Sequence, residues 1–458
     1  MTQTASSLLI LGASGDLSSR LLLPALGQLL TSQRDRKVQL IGAGSETWTN
    51  EKWRSEVRKS FGTVKAAGRS VQSILRTTTY ESADVTKPED LKRLLDACTG
   101  TPAIYFALPP AIAALACKAL ESIELPPGTQ LALEKPFGTD RRSAVALNKQ
   151  VLKLVPEDQI HRIDHFLGNS TVFNLLGLRF ANRIFEPLWS SDHIDRVDIV
   201  YDELLGLEGR ARYYDKAGAL VDMIQSHLLQ VMAVLAMEPP ATLNARDLRD
   251  AKGTVLRATQ VWNDSPQESS RRGRYTAGSV DGRKMPSYVK EKGVDPSRNT
   301  ETLAEVTFEI DNWRWSGVPF TLRSGKALSV HRREIVITFK PAQHVPRGLH
   351  GVEHPTKLRI LLAPDGMSLE LNVNGPGDPH ELDTAVLAAD FGPGQLLAYG
   401  EVLAGVLDGD PSMSVRGDSA EECWRIVAPV VREWAANTVP LDDYKAGSSG
   451  PRQWPALG

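Results

Sequence analysis

The chain has 458 residues, 41% of them hydrophobic and 24% charged, with a formal net charge of −2. That length exceeds one ordinary hydrophobic core and predicts two or more large domains. The near-neutral balance excludes a global field for nucleic acid or membrane phosphates, so any anionic ligand has to be held by a local cluster of cations.

The first apolar run, Leu8–Leu11, is too short for a signal core, has no Lys or Arg before it and runs into Gly12 and Asp16. It reads as a buried parallel strand. Leu21–Leu30 has helical spacing, Val38–Ile41 is strand-like, and Glu51–Phe61 is a polar helix. Leu91–Cys98 (helix), Ala103–Ala107 (strand), Ala111–Glu121 (helix) and Gln130–Leu133 (strand) continue the alternation. Strand and helix alternating at this spacing predict a doubly wound, Rossmann-like parallel sheet over residues 1–168.

Beyond about residue 170 the texture changes. Val197–Tyr201, Leu303–Ile310, Ile335–Phe339, Leu358–Leu362 and Met367–Val373 read as strands parted by turn clusters, which predicts a mostly antiparallel sheet. Ala219–Met237 and Ala420–Ala435 read as long amphipathic helices, and the Gly- and Arg-rich stretch Asn263–Lys292 as a surface loop. The fold class is therefore α/β followed by α+β, with a dinucleotide-binding domain at 1–168 and a larger substrate and oligomerisation domain at 169–458. Cys98, Cys117 and Cys423 are odd in number and far apart, which fits reduced thiols and a cytoplasmic location and no disulfide framework. No run approaches the roughly 20 apolar residues of a membrane span.

Gly12-Ala13-Ser14-Gly15-Asp16-Leu17 sits between the first strand and the first helix. Glycines there let the backbone turn tightly and bring its N–H groups to a pyrophosphate at the helix N-terminus. The spacing departs from G-x-G-x-x-G, so the motif alone is a weak signal and a structural turn is the alternative; its position after the first strand of an alternating domain favours function. The end of the second strand, Gly42-Ala43-Gly44-Ser45-Glu46, carries no Arg, although Lys52 and Arg54 are near in sequence. Ser14 and Ser45 suit either nucleotide, and the choice between NAD and NADP stays open.

Arg162-Ile163-Asp164-His165-Phe166-Leu167-Gly168-Asn169 sets an acid beside a histidine, and a second histidine, His227, lies in Asp222–Gln230. Oxidising an alcohol needs a base for the hydroxyl proton. Neutral imidazole suits that role near pH 7, with a carboxylate fixing its tautomer. Asp164 with His227 makes such a dyad if the fold unites them; a structural histidine is the alternative. No Cys or second His stands at zinc-ligand spacing, so no metal is expected.

Taken together, these segments resemble the glucose-6-phosphate dehydrogenase family. The resemblance runs from residue 10 to about 450 through Gly12–Leu17, Ala107-Leu108-Pro109-Pro110, Glu134-Lys135-Pro136-Phe137-Gly138, Arg162–Gly168, Arg179–Arg183, Glu208-Gly209-Arg210, Ile224–Gln230, Asn299–Thr302, Ile310–Trp315 and Leu322-Arg323-Ser324-Gly325-Lys326, in family order. It implies His227 as general base and Asp164 as its orienting carboxylate. It implies Lys135, Glu203, Asp222 and Lys326 at the sugar, and His165 and Asn169 toward its 6-substituent. Gly12, Ser14, Gly15, Asp16, Leu17, Ser45, Pro109, Lys135 and Pro136 fall at the cofactor. The implied reaction oxidises the anomeric carbon of an aldohexose, glucose 6-phosphate first, to a 1,5-lactone with NADP or NAD. A homodimer or homotetramer built on the second domain's sheet is implied too, with no nucleic-acid or membrane partner.

The departures cluster at the phosphate. The family signature usually has Tyr and Lys where this chain has Phe166 and Asn169, and a cation where His331 stands; a glutamine of the family aligns roughly with Ala363. Each charge-assisted hydrogen bond contributes on the order of 1.5–3 kcal/mol, so these losses weaken a dianion site unless Arg332 or Arg333 compensates. A 6-sulfo sugar such as sulfoquinovose, or plain glucose, is the alternative substrate. A catalytically silent nucleotide-binding regulator is the alternative class. Members that prefer NADP often have Arg where this chain has Ser45.

Overall fold

The computed structural model describes residues 4–351, 354–392 and 394–458. The chain forms two compact units that are not contiguous in sequence. The first comprises Met1–Asn169, Glu238–Gly253 and Gly394–Trp424, and the second Ser170–Met237, Thr254–Pro393 and Arg425–Gly458.

In the first unit, β1 (Ser7–Leu11), β2 (Gln39–Gly44), β3 (Thr79–Ser82), β4 (Pro102–Phe106), β5 (Gln130–Glu134) and β6 (Ile160–Ile163) are parallel. They lie in the order β3-β2-β1-β4-β5-β6, and Ser414–Val415 pairs antiparallel on the outside of β6. Every residue of β1 is buried, because helices cover both faces of a parallel sheet. Its side chains divide by the period of two: Leu8 and Ile10 pack with Leu26 and Trp53, and Leu9 and Leu11 with Leu94 and Leu120. The strand order reverses direction between β1 and β4. In open α/β sheets that is where the crevice for a ligand opens.

The second unit is built on an eleven-stranded sheet among the described residues. Its central strand, β7 (Ile194–Asp202), lies parallel to Phe320–Gly325 and antiparallel to Arg332–Phe339. Lys357–Leu362, Asp365–Asn374 and Glu381–Asp390 follow on one side, and Leu303–Ile310, Ser270–Thr276 and Leu441–Lys445 on the other. Most pairings are antiparallel, as the turn-separated runs predict.

Two expectations need correction. Asn263–Lys292 is not a surface loop: Ser270–Thr276 is a strand of the sheet, Gly278–Val280 and Arg283–Met285 form a hairpin, and Tyr275 and Tyr288 are buried. Arg272 goes inward because it is paired. Arg272 donates to the Val439 carbonyl at 3.0 Å through Nε, and Arg271 to Glu305 at 2.6 Å. The segment expected to be an amphipathic helix at 219–237 is instead buried almost throughout, and it follows directly on Ala211–Ala219. By composition the run Ala211–Ala236 is long enough to cross a membrane, but 83% of its most apolar window is buried in the protein. It is a core helix. Gly218 (φ +64°, ψ 179°) bends it, and beyond the bend Leu220–Leu228 winds in wide π geometry before Leu229–Ala236 resumes the α form.

Candidate active site

The loops at the carboxyl ends of β1 to β4 enclose a cleft of about 670 Å³. Gly12, Ser14 and Gly15 come from the first turn, Gly44, Ser45 and Glu46 from the end of β2, Asp84 and Thr86 from beyond β3, and Ala107–Pro109 from beyond β4. The turn is pinned by Gly12 and Ala13, whose N–H groups donate to the Ala43 carbonyl at 2.8 and 2.9 Å. Gly12 has φ +85°, and a Cβ there would come within 2.3 Å of the Ala107 carbonyl oxygen, so only glycine lets β1 and β4 approach this closely. Backbone without side chains at Gly12, Gly15 and Gly44 leaves a floor that fits a pyrophosphate. Ser14 Oγ donates to the Glu46 carboxylate. That hydrogen bond, then Glu46's own amide, holds this exposed acid below the usual carboxylate range. Asp16 and Leu17 begin the following helix and do not line the cleft.

At the end of β5 the Tyr105 hydroxyl donates to Glu134 at 2.6 Å. Burial pushes the Glu134 carboxyl up to about 7, opposed by that hydrogen bond and by the neighbouring Lys135. The Lys135–Pro136 peptide is cis. Asp164, at the end of β6, is 2% exposed and accepts from the Phe166 amide at 2.9 Å, which starts a short helical turn. His165 turns outward from that turn and stacks on Tyr399, with ring centroids 5.3 Å apart and planes 13° from parallel. Phe166 is buried and edge-on to His165, and Asn169 closes the turn half-exposed. Lys252 is buried near Asp164. Desolvation lowers its ammonium to about 8, with Asp164 opposing that fall.

In the second unit Lys326 Nζ lies 2.7 Å from Glu203 Oε2 and 5.1 Å above the Tyr214 ring. Arg333 faces Tyr201 across the ladder, stacks over its ring at 4.8 Å and lies 3.9 Å from the other Glu203 oxygen. His331 is exposed, while Arg332 is committed to Glu334. Asp222 and His227 sit in the π-wound stretch, half-buried and 1% exposed respectively. Burial raises the Tyr213 phenol, and its hydrogen bond to Asp222 raises it further. Short π segments inside α-helices recur at functional sites because they re-aim side chains.

The structure thus gathers Gly12, Ser14, Gly15, Ser45 and Pro109 around one cleft, Lys135 and Pro136 at one strand end, and Glu203 with Lys326 in one ion pair. Asp164, His165 and Asn169 lie on one turn of the first unit, and Asp222 and His227 on one helix of the second. Sequence reasoning left out Glu46 as a site residue, Asp84, Asp90, the Tyr105–Glu134–Tyr399 group and the Tyr201 ring under Arg333. Asp84 and Asp90 follow β3, a short strand whose Thr79–Ser82 has little apolar signal. Glu134 was within reach, since it opens the quoted Glu-Lys-Pro motif.

Comparison with known proteins agrees along the whole chain. Residues 9–174 match the family model for the glucose-6-phosphate dehydrogenase NAD binding domain, and residues 176–457 that for its C-terminal domain. Glucose-6-phosphate 1-dehydrogenase of Zymomonas mobilis subsp. mobilis is 36% identical, covering 98% of this chain and 97% of its own. That of Dickeya dadantii is 38% identical, covering 98% and 95%. A solved glucose-6-phosphate dehydrogenase in complex with its substrate glucose 6-phosphate superposes with a TM-score of 0.88 at 29% identity, covering 99% of this chain and 97% of that one. The Mycobacterium avium enzyme gives 0.86 at 32% identity, covering 98% and 95%.

Proposed function

The chain belongs to the glucose-6-phosphate dehydrogenase family, and on that premise we propose that it oxidises glucose 6-phosphate at the anomeric carbon to the 1,5-lactone, using a nicotinamide nucleotide. The observation that carries this reading is the full-length similarity to relatives of that name. In it, residues 1–168 carry the nucleotide and residues 169–458 serve the sugar and subunit association. Gly12, Ser14, Gly15, Ser45 and Pro109 would hold the nucleotide, with Lys135 and Pro136 at its reactive end. Bound there, it supplies the hydride acceptor.

The rest is done by side chains. His227 takes the proton of the anomeric hydroxyl, and Asp164 holds the imidazole in the tautomer that accepts it. Both side chains are buried, which restricts their motion. Glu203, Asp222, Lys326 and Lys135 hydrogen-bond the sugar hydroxyls, which discriminates by leaving wrong partners unpaired. His165 and Asn169 face the 6-phosphate. Arg333, held over Tyr201 and beside Glu203, supplies the cation that Phe166, Asn169 and His331 do not.

A cytoplasmic site of action fits three cysteines that stand as thiols. Association of like chains through the second unit's sheet fits the apolar side chains that Glu381–Asp390, near one edge of it, exposes: Val386 at 58% and Leu387 at 60%.

The test is a kinetic matrix of glucose 6-phosphate, glucose and a 6-sulfonate analogue against NAD+ and NADP+. Glucose 6-phosphate is expected to give the highest kcat/KM. A higher efficiency with either other sugar, or no nucleotide reduction with any, overturns the proposal.

A further inference from the structure

The nucleotide cleft has a wall that the reaction itself does not require. At the end of β2 the exposed Glu46 carboxylate projects beside Ser14, which donates to it. Across the cleft floor Asp84 accepts from the Thr86 amide at 3.1 Å and from its hydroxyl at 2.7 Å, and Asp90 accepts from the Asp84 amide at 2.8 Å. Those bonds hold both aspartates below the usual carboxylate range. Three acids line the cleft, and among its described lining residues there is no Lys or Arg.

The nearby cations have partners of their own, and two of them lie on the cleft's aspartates: Lys87 is 3.9 Å from Asp84 and Arg93 is 3.0 Å from Asp90. Arg93 also binds Glu81 at 2.8 Å, Arg54 donates to the Thr78 carbonyl at 3.1 Å, and the Lys52 ammonium lies 4.3 Å above the Trp48 ring. Beside them Trp48 stacks on Tyr80 with ring centroids 5.5 Å apart. A carboxylate at the end of the second strand accepts hydrogen bonds from a ribose diol and repels a phosphate esterified to it.

We propose that this cleft selects NAD over NADP, and that Glu46, steadied by Ser14, is the residue that selects. The inference rests on the nucleotide-binding part of the proposed function and is indifferent to which sugar is oxidised. Ser14 fixes the carboxylate so that it meets the adenosine ribose instead of swinging into solvent. Asp84 and Asp90 stand beside Lys87 and Arg93 and so add little to that field, which leaves the selection to Glu46.

The full chain is titrated with NADH and with NADPH, following cofactor fluorescence and calorimetry with no sugar present. NADH is expected to bind at least about tenfold more tightly than NADPH. In Glu46→Gln, which keeps size and sits on the surface, that ratio is expected to fall several-fold, chiefly through tighter NADPH binding. The wild-type ratio is also expected to shrink as salt rises from about 0.05 to 0.5 M, because screening weakens exposed charge repulsion. NADPH binding as tightly as NADH in the wild type, or a ratio unmoved in the variant, overturns the inference while leaving the family reaction intact. Binding of neither nucleotide overturns the nucleotide reading beneath it.

Discussion

The cleft of the first unit and the Glu203–Lys326 site of the second handle charge in opposite ways. In the cleft, Glu46 stands on a loop at a strand end, kept ionised by a hydroxyl and its own backbone amide, while Asp84 and Asp90 lie beside Lys87 and Arg93. In the second unit, acid and base cancel across 2.7 Å at the end of the unit's central strand, with Arg333 and two tyrosine rings around them. The first arrangement acts by repulsion on whatever enters and tolerates substitution. The second acts by exchange: a ligand's hydroxyls must take over hydrogen bonds already made, and removal of one partner leaves the other charged and poorly solvated. Selectivity at the cleft is therefore open to change by single residues, whereas the ion-pair site is bound up with stability.

The largest test of this contrast is His227→Asn, on the buried helix of the second unit. Turnover is expected to fall by about 10²–10⁴-fold, as for loss of a general base, with the urea midpoint and the NADH dissociation constant little changed. Near-normal turnover would remove the chemistry from the second unit.

Next in size is Lys326→Met. The KM for the sugar is expected to rise roughly 10- to 100-fold, for one charge-assisted hydrogen bond lost, while NADH binding in the first unit stays as it was. If both move together, the two regions are not separable. Gly218→Ala then tests the bend that carries His227. Its φ of +64° with ψ 179° is reached almost only by glycine, and an added Cβ would lie 2.1 Å from Glu301 Oε1, which also accepts from the Leu220 amide at 3.0 Å. A loss of stability of about 1–3 kcal/mol is expected in chemical denaturation. An unchanged midpoint would show that the bend relaxes freely.

The smallest effect separates the regions least, because each buries one carboxyl that titrates near neutrality. Glu134 in the first unit and Glu301 in the second are both raised from 4.5 to about 7, by burial above all. Between those values the folded chain binds protons that the unfolded chain has released. Their contribution is full below about pH 4.5 and is lost as pH climbs through 7. Glu134→Gln and Glu301→Gln are each expected to gain on the wild type across that window, by up to about 1.4 kcal/mol per pH unit, read from urea midpoints at pH 5, 6, 7 and 8. Parallel pH curves for variant and wild type would mean that the side chain replaced is already ionised when folded.

Strand and helix alternation over the first third was legible residue by residue, because a buried parallel strand such as Leu8–Leu11 leaves a continuous apolar run. So was the carboxyl-end position of the Gly12–Leu17 turn. Asn263–Lys292 was not, since its arginines and tyrosines look like surface until Glu305, the Val439 carbonyl and Asp215 are brought to them. Strands near a sheet edge such as Glu381–Asp390 were missed for the complementary reason: little of them is buried, so no apolar period is imposed.

What the sequence alone determined is the set of local geometries: glycines where the backbone must turn or approach closely, apolar runs where both sheet faces are covered, and ordered motifs that place the chain in a family. Tertiary structure alone decided which charges oppose and which cancel. Glu46 meets Ser14 from 32 residues away, and Lys326 meets Glu203 from 123. Electrostatic energy depends on distance through space and on burial, and neither is written in spacing along the chain.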